Sequence, residues 1–387
     1  MTTPDHRIIV VGAGYMGSMA IDLIAAHLPD ARFHVIDRDA AALTAVTERL
    51  GERVSTAQSD FLRDGMPPLP PAALVVNFAG PFYAGANTVA RAALSAGIPY
   101  LDICDDAEGT RAVLDLAAEA RTAGIALITG AGNSPGMSNV FARALIERHP
   151  DVDGIRVVWA VREDDPGGLA PLRHMLHMAV VPCPIWDQGA PATSAGFTPK
   201  TARTHHLPEP VGEVVAFDTS HPEPITLPLA FPHLRHASCQ GALLPQWSND
   251  AFSMLGKLGF GDPSLRVDIG GHSVDPTEVL WKVLWARHTN RPDLVRRALT
   301  IVQVQGLRGE DIAATATIVD DHAMVRTTGI GAATAAVTLL SHPAPPGAWG
   351  TEILDPTPTL TTFHQIAQSA GAIRDGVQFD DAHSTTH

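Results

Sequence analysis

Three glycines within six residues, Gly12-Ala13-Gly14-Tyr15-Met16-Gly17, carry the most definite chemistry in this sequence. They follow an apolar run, Ile8-Ile9-Val10-Val11, and open a helical pattern over Met16–His27. In that setting Gly12 permits a tight turn, Gly14 lets the backbone approach a pyrophosphate, and Gly17 lets helix and strand pack closely. The helix start, where Tyr15 and Met16 sit, adds free N–H groups and the positive end of the helix dipole. Asp37 ends the next apolar run, Phe33–Asp37, about twenty positions after Gly17. A carboxylate there accepts both ribose hydroxyls of NAD and repels the 2′-phosphate of NADP. Arg38, the next residue, could instead reach a 2′-phosphate or stack on adenine. The fingerprint therefore predicts NAD ahead of NADP. A flavin, S-adenosylmethionine or no cofactor at all are the lesser alternatives.

Further motifs end other apolar runs. Asn77-Phe78-Ala79-Gly80-Pro81-Phe82 places an amide and a tight turn where a parallel sheet presents ligands, at the carboxyl ends of its strands. Asn77 would serve the ribose or nicotinamide, with Gly80 and Pro81 shaping the turn; a plain strand-to-helix turn reads equally well. Tyr100–Asp106 brings three acids to another strand end. Asp102 alternates with apolar Leu101 and Ile103, Asp105 is a candidate substrate contact, and Asp106 a helix cap. Gly130–Gly136 is a donor-rich turn containing Asn133. Hydride transfer demands positioning more than side-chain chemistry. The proton can use water or one titratable group, with Asp105, Glu223 and His221 the candidates. His221, beside Pro222, reads more readily as a packed loop histidine. The pairs His174/His177, His205/His206 and His233/His236 lack the carboxylate or cysteine pattern that would complete a tetrahedral site, so no metal is expected. Cys104 reads as an inert core thiol and Lys257 as a solvated lysine.

The elements that must hold these residues follow from periodicity. Residues 7 to 130 alternate short apolar runs with helical patterns, which predicts βαβ units and a doubly wound parallel sheet. The rhythm changes after Gly130. Ile155–Arg162, Val214–Asp218, Ser264–Ile269, Thr300–Gly306 and Ile312–Val319 are predicted strands, and Pro276–His288 and His322–Leu340 predicted helices. Residues 163 to 264, rich in Pro, Gly and His, read as loops over a mixed sheet of an α+β domain. Phe379–His387 reads as a frayed polar end.

Composition sets the frame. The 387 residues suggest two or three domains, and 45% apolar residues suffice for their cores. A net charge of −14 disfavours nucleic acid as a partner. No apolar run reaches the ~18 residues of a membrane span, and the first residues show no secretory leader. Three separated cysteines, Cys104, Cys183 and Cys239, argue against a disulfide framework and for a reducing cytoplasm.

Together the motifs resemble the saccharopine dehydrogenase-like family, in its saccharopine reductase, lysine 6-dehydrogenase and carboxynorspermidine dehydrogenase branch. The matching pieces are Gly12–Gly17, Asn77–Phe82, Gly97–Asp102, Gly130–Gly136, Ser220–Pro228 with its His-Pro-Glu, and Met324–Gly329. The resemblance implies a Rossmann domain (1–135 plus 325–387) with an inserted α+β domain (136–324), and a C-terminal helix returning to the first. It implies an NAD(P)-dependent oxidoreductase that reduces imines derived from amino acids or oxidises amines, and a homodimer formed through the second domain. Cofactor positions carry over to Gly12, Gly14, Met16, Gly17, Asp37, Asn77 and Gly80. A substrate cleft carries over to Phe82, Asp102, Asp105, Asn133 and Glu223. The middle of the chain matches no named branch, which leaves the substrate open. On the same fold the alternatives are a reductase of a C=C or C=O bond and a non-catalytic dinucleotide-binding protein.

Overall fold

The computed structural model describes residues 7–162, 169–262, 264–290 and 298–381. The chain forms two compact units. One comprises the residues through Ala144 together with Val325–Ala372; the other comprises Leu145–Met324 and the residues from Ile373 on.

The first unit begins β1 (Arg7–Val11), α1 (Tyr15–His27), β2 (Arg32–Asp37), α2 (Ala40–Leu50), β3 (Val54–Gln58) and α3 (Phe61–Asp64). It continues β4 (Leu74–Asn77), α4 (Phe82–Ala96), β5 (Tyr100–Asp102), α5 (Ala107–Leu114), α6 (Ala117–Ala123), β6 (Ala126–Thr129) and α7 (Met137–Arg148). The second unit then supplies β7 (Gly154–Arg162), α8 (Leu169–Met178), β8 (Pro182–Asp187), β9 (Ala190–Ala195), β10 (Arg203–Leu207), β11 (Gly212–Asp218), α9 (Glu223–Ala230) and β12 (His236–Leu244). It goes on with α10 (Trp247–Lys257), β13 (Val267–Ile269), β14 (His272–Val274), α11 (Pro276–Asn290), β15 (Leu299–Arg308) and β16 (Asp311–Asp320). The chain returns to the first unit with α12 (Met324–Ser341), β17 (Gly347–Gly350) and α13 (Pro356–Ser369), and ends in β18 (Arg374–Asp381).

The first sheet runs β17-β6-β5-β4-β1-β2-β3, parallel throughout. Its middle strands are covered on both faces, which is why Ile8–Val11 and Leu74–Val76 are continuous apolar runs with almost no exposure. Helices return through glycine: Gly97 ends α4 at φ +67°, a left-handed turn that other residues resist. This is the doubly wound Rossmann architecture that the periodicity predicts.

The second sheet is mixed, ordered β10-β11-β12-β7-β15-β16-β18, with β8 pairing β12 and β9. β7 and β12 run parallel, and β15, β16 and β18 follow antiparallel. The β10–β11 hairpin lays Leu207, Val214 and Ala216 on Val158, Ala160, Ala242 and Ile301 of the sheet.

Two boundaries differ from those expected. Residues 136–144 belong to the first unit, because α7 packs there. Phe141 meets Phe363 edge-on at 5.9 Å, Asn139 Nδ2 donates to Glu352 Oε2 at 2.7 Å, and Arg143 Nη1 donates to the carbonyls of Glu352, Ile353 and Leu354. The tail leaves the first unit after Ala372, because β18 joins β16 with Ala316 opposite Phe379. The frayed end expected from Phe379 is therefore strand as far as Asp381; residues 382–387 lie outside the described residues. The strand expected over Ser264–Ile269 shrinks to β13. The loops expected over 163–264 hold α8 to α10 and β8 to β12, with 163–168 outside the described residues.

Candidate dinucleotide cradle and polar clusters

The three glycines occupy different surroundings. Gly12 lies at φ +93°, and a Cβ there would fall 2.8 Å from the Ala79 nitrogen. At Gly17 a Cβ would collide with the Gly12 carbonyl oxygen. These two let β1, α1 and the β4–α4 turn close on one another. Gly14 differs: a Cβ there would meet nothing within 4 Å. It is the N-cap of α1 and provides no side-chain cap, so the leading N–H groups of that helix have no intrahelical partner. An open glycine beside an uncapped helix start fits a diphosphate.

Asp37 is tied to this turn. Ala13 N–H donates to its Oδ2 at 2.5 Å and Asp39 N–H to its Oδ1 at 2.8 Å. The carboxylate is held at the end of β2, half-buried, with lone pairs left for a ribose. Arg38 and Tyr15 are exposed, and Met16 packs partly on the core. Thus Gly12, Gly14, Tyr15, Met16, Gly17, Asp37 and Arg38 lie on adjoining turns, and the set fits an adenine dinucleotide.

Asn77 is placed otherwise than expected. It has no exposed surface; Nδ2 donates to Tyr100 Oη at 3.1 Å and Oδ1 accepts from Ala79 N–H at 3.0 Å. Its amide fixes the turn that presents exposed Gly80 and half-buried Pro81, instead of reaching a cofactor itself. Phe82, expected at the substrate, is buried in the core of the unit. Asp102, also expected there, is fully buried as an acceptor of four hydrogen bonds. Tyr100 Oη donates to Oδ2 at 2.8 Å, and Cys104 N–H, Thr129 Oγ1 and Gly130 N–H each donate to Oδ1 at 2.9 Å. Burial pushes this carboxyl above the usual carboxylate range, and the four bonds oppose that shift. Asp102 is therefore a positioning residue joining the ends of β5 and β6 to the Gly130 turn. Asp106 is the N-cap residue of α5, as expected, but its side chain makes no cap bond there and its Oδ2 accepts from Tyr83 N–H of α4 at 3.3 Å; Asp105 is half-buried. Asn133 is 6% exposed, and its Oδ1 accepts no hydrogen bond among the described residues, which leaves it capacity for a ligand. Burial, with the acids around it, raises the Cys104 thiol well above its ordinary value, as an inert core cysteine requires.

In the second unit the His-Pro-Glu stretch leads into α9. Glu223 is fully buried, His221 nearly so, and His221 Nδ1 stands 3.7 Å from Glu223 Oε2. Trp159 of β7 stacks on His221 with ring centroids 5.7 Å apart, and the His174 ring lies 5.5 Å away. Cys239 Sγ is 4.0 Å from Glu223 Oε1. Sequence spacing paired His174 with His177 and missed Trp159 and Cys239; the signal available was the inward alternation of β7 and β12. One ligand atom from each of His221, Glu223 and Cys239 lies within 4.8 Å of the others, a set of donor types that metals use. His205 goes to Gln240 and His236 to Asp187.

Comparison with known proteins fits this geometry. Residues 8–128 match the family described as the saccharopine dehydrogenase NADP binding domain. No curated protein matches the sequence. Apo histidine-tagged saccharopine dehydrogenase (L-Glu forming) from Saccharomyces cerevisiae aligns over 97% of this chain and 100% of its own, at a TM-score of 0.64 and 14% identity. The amine dehydrogenase of Mycobacterium smegmatis covers 90% of this chain and 96% of its own at 12% identity, but its TM-score of 0.44 is too low to argue from. Fold and cradle define an NAD(P)-binding oxidoreductase. Within that class, residues 8–128 match the saccharopine dehydrogenase dinucleotide domain, and the fold of the chain is similar to that of the yeast structure.

Proposed function

We propose that the chain is an NAD-dependent dehydrogenase or reductase that moves a hydride to or from the C–N bond of a small, amino-acid-derived substrate. The observation that carries the reading is Asp37, pinned by the N–H groups of Ala13 and Asp39 beside the open Gly14 turn. The matched family is named for NADP, yet a carboxylate at this strand end repels a 2′-phosphate, so NAD ranks first. Bound there, the nicotinamide supplies a hydride acceptor or donor. The chain does the rest: the start of α1 holds the diphosphate, Asp37 the adenosine ribose, and Asn133 offers a buried acceptor to the substrate. Glu223 Oε2 and His221 Nδ1 form a buried pair able to hold or pass a proton, with Asp105 the candidate in the first unit. The C–N bond rests on the motif resemblance, which also supports a homodimer, while the three separated cysteines support the cytoplasm. Reduction of a C=O or C=C bond is the second reading.

The test has two arms. Calorimetry should show NAD binding more tightly than NADP. Asp37→Ala should weaken NAD by on the order of tenfold to a hundredfold, the worth of charge-assisted hydrogen bonds, with a smaller effect on NADP. Reduced cofactor should be consumed only when an oxo acid and an amine are supplied together. Consumption with the oxo acid alone would move the reading to a carbonyl reductase, and no uptake of either nucleotide would end the enzymatic reading.

A further inference from the structure

The second unit holds a pocket of about 560 Å³ that the chemistry above does not use. Its floor is a sheet face: Arg156 on β7 and Ser238 and Gln240 on β12 point the same way, by register and strand alternation, and Gln305 on β15 lies beside Arg156 on that face. Lys200, Arg203, Asp187, Asp218 and Glu310 stand around it.

Arg156 is the residue that needs explaining. It is half-buried, and its Nη1 donates to a neutral partner, Gln305 Oε1, at 3.2 Å. Among the described residues no carboxylate reaches it within the 4.0 Å of an ion pair. Burial and the like charge of Arg203 oppose its protonated form, while Asp218 and Glu310 favour it from a distance. The amides beneath are already committed. Gln240 Oε1 accepts from His205 Nε2 at 2.7 Å, Gln240 Nε2 donates to Asp218 Oδ1 at 2.8 Å, and Gln305 Nε2 donates to Gln303 Oε1 at 2.8 Å. Arg203 and Lys200 are exposed, and their side chains make no hydrogen bond or ion pair among the described residues. Three carboxylates, Asp187, Asp218 and Glu310, line the same cavity; Asp187 faces His236 at 3.1 Å and Asp218 accepts from Gln240, and none of the three forms an ion pair with Arg156, Lys200 or Arg203 among the described residues. With these acids held out of contact, a half-buried guanidinium beside another cation lacks a direct ion-pair partner, which a bound anion supplies.

We propose that this pocket binds a small oxyanion, a carboxylate or a phosphate, held between Arg156 and Arg203 with Lys200 at the mouth. The guanidinium fork suits either anion, and the volume suits a metabolite-sized ligand. The site lies wholly within the second unit and does not depend on the dinucleotide reading.

Titration calorimetry on the full chain with inorganic phosphate, glutarate and glutamate tests this. At least one should bind, with Arg156→Gln weakening it tenfold or more and Arg203→Gln several-fold, and NAD affinity unchanged in both. Phosphate above glutarate identifies a phosphate site, and the reverse a carboxylate site. Glutamate above glutarate shows that Asp218 and Glu310 also read an ammonium group. Should Arg156→Gln fail to fold, Arg203→Gln, at an exposed position, carries the test. The proposal is overturned if no probe binds at millimolar concentration, or if the variants bind as tightly as the native chain. It is also overturned if Arg203→Gln changes the oligomeric state without changing oxyanion affinity, which would assign the face to a subunit contact.

Discussion

Asp102 shows how a strand-end acid can serve a site without touching its ligand. Four donors from two stretches of chain converge on it: Tyr100 Oη and Cys104 N–H beside it, and Thr129 Oγ1 and Gly130 N–H at the end of β6. Asp102→Ala would leave them buried without an acceptor, at a cost of about 3–5 kcal/mol. Asp102→Asn keeps an oxygen for the three bonds to Oδ1 and changes only the exchange with Tyr100, so it should cost markedly less. Denaturant unfolding of the two variants checks this; equal losses would show that the charge, and not the acceptor geometry, matters. From sequence alone Asp102 and Asn77 read as ligand contacts, because polar residues at the carboxyl ends of parallel strands commonly are. Alternation shows that such a side chain differs from its neighbours, but not that Tyr100 waits inside to receive it. The turn at Gly12 was legible because it is a demand of the backbone, and the place of Asp37 at the end of β2 because strand spacing fixes it.

At the scale of elements, legibility followed burial. β1, β4 and β6 are covered on both faces and appear in the sequence as unbroken apolar runs. β3, Val-Ser-Thr-Ala-Gln, and β17, Gly-Ala-Trp-Gly, are edge strands built from small and polar residues, and no periodicity marks them. α9 has Pro228 inside it, and β18 carries Gly376 and four charged residues, so both read as irregular chain. β18 nevertheless covers the edge of β16, held by His149 against Asp381 at 3.0 Å and by the Arg148 guanidinium 3.7 Å over the Phe379 ring. Removing residues 374–387 uncovers that edge, and an uncovered edge recruits other chains. The truncated protein should melt earlier and self-associate, by light scattering, while its NAD affinity stays that of the full chain. A monodisperse truncated protein with unchanged melting would show that β18 contributes little to the second sheet.

At the scale of the whole molecule, each unit has its own sheet and its own buried cluster, and the chain passes between them after Ala144, Met324 and Ala372. A ligand stabilises only the folded unit that binds it, by RT ln(1 + [L]/Kd), or about 2.7 kcal/mol at a hundred times Kd. Every proposed cofactor residue lies in the first unit and the Arg156 pocket in the second. Saturating NAD should therefore raise a melting transition of the first unit by about 5–10 °C, for a body of roughly 200 residues. The second transition should stay where it is, and the oxyanion identified by titration should do the converse. Scanning calorimetry with each ligand separately reads both. A single transition that both ligands raise together would mean that the three chain passages couple the units into one cooperative body. In that case stabilisation gained at the dinucleotide turn would be shared with the buried His221–Glu223 pair, and the two units would have to be treated as one enzyme fold in every mutational comparison.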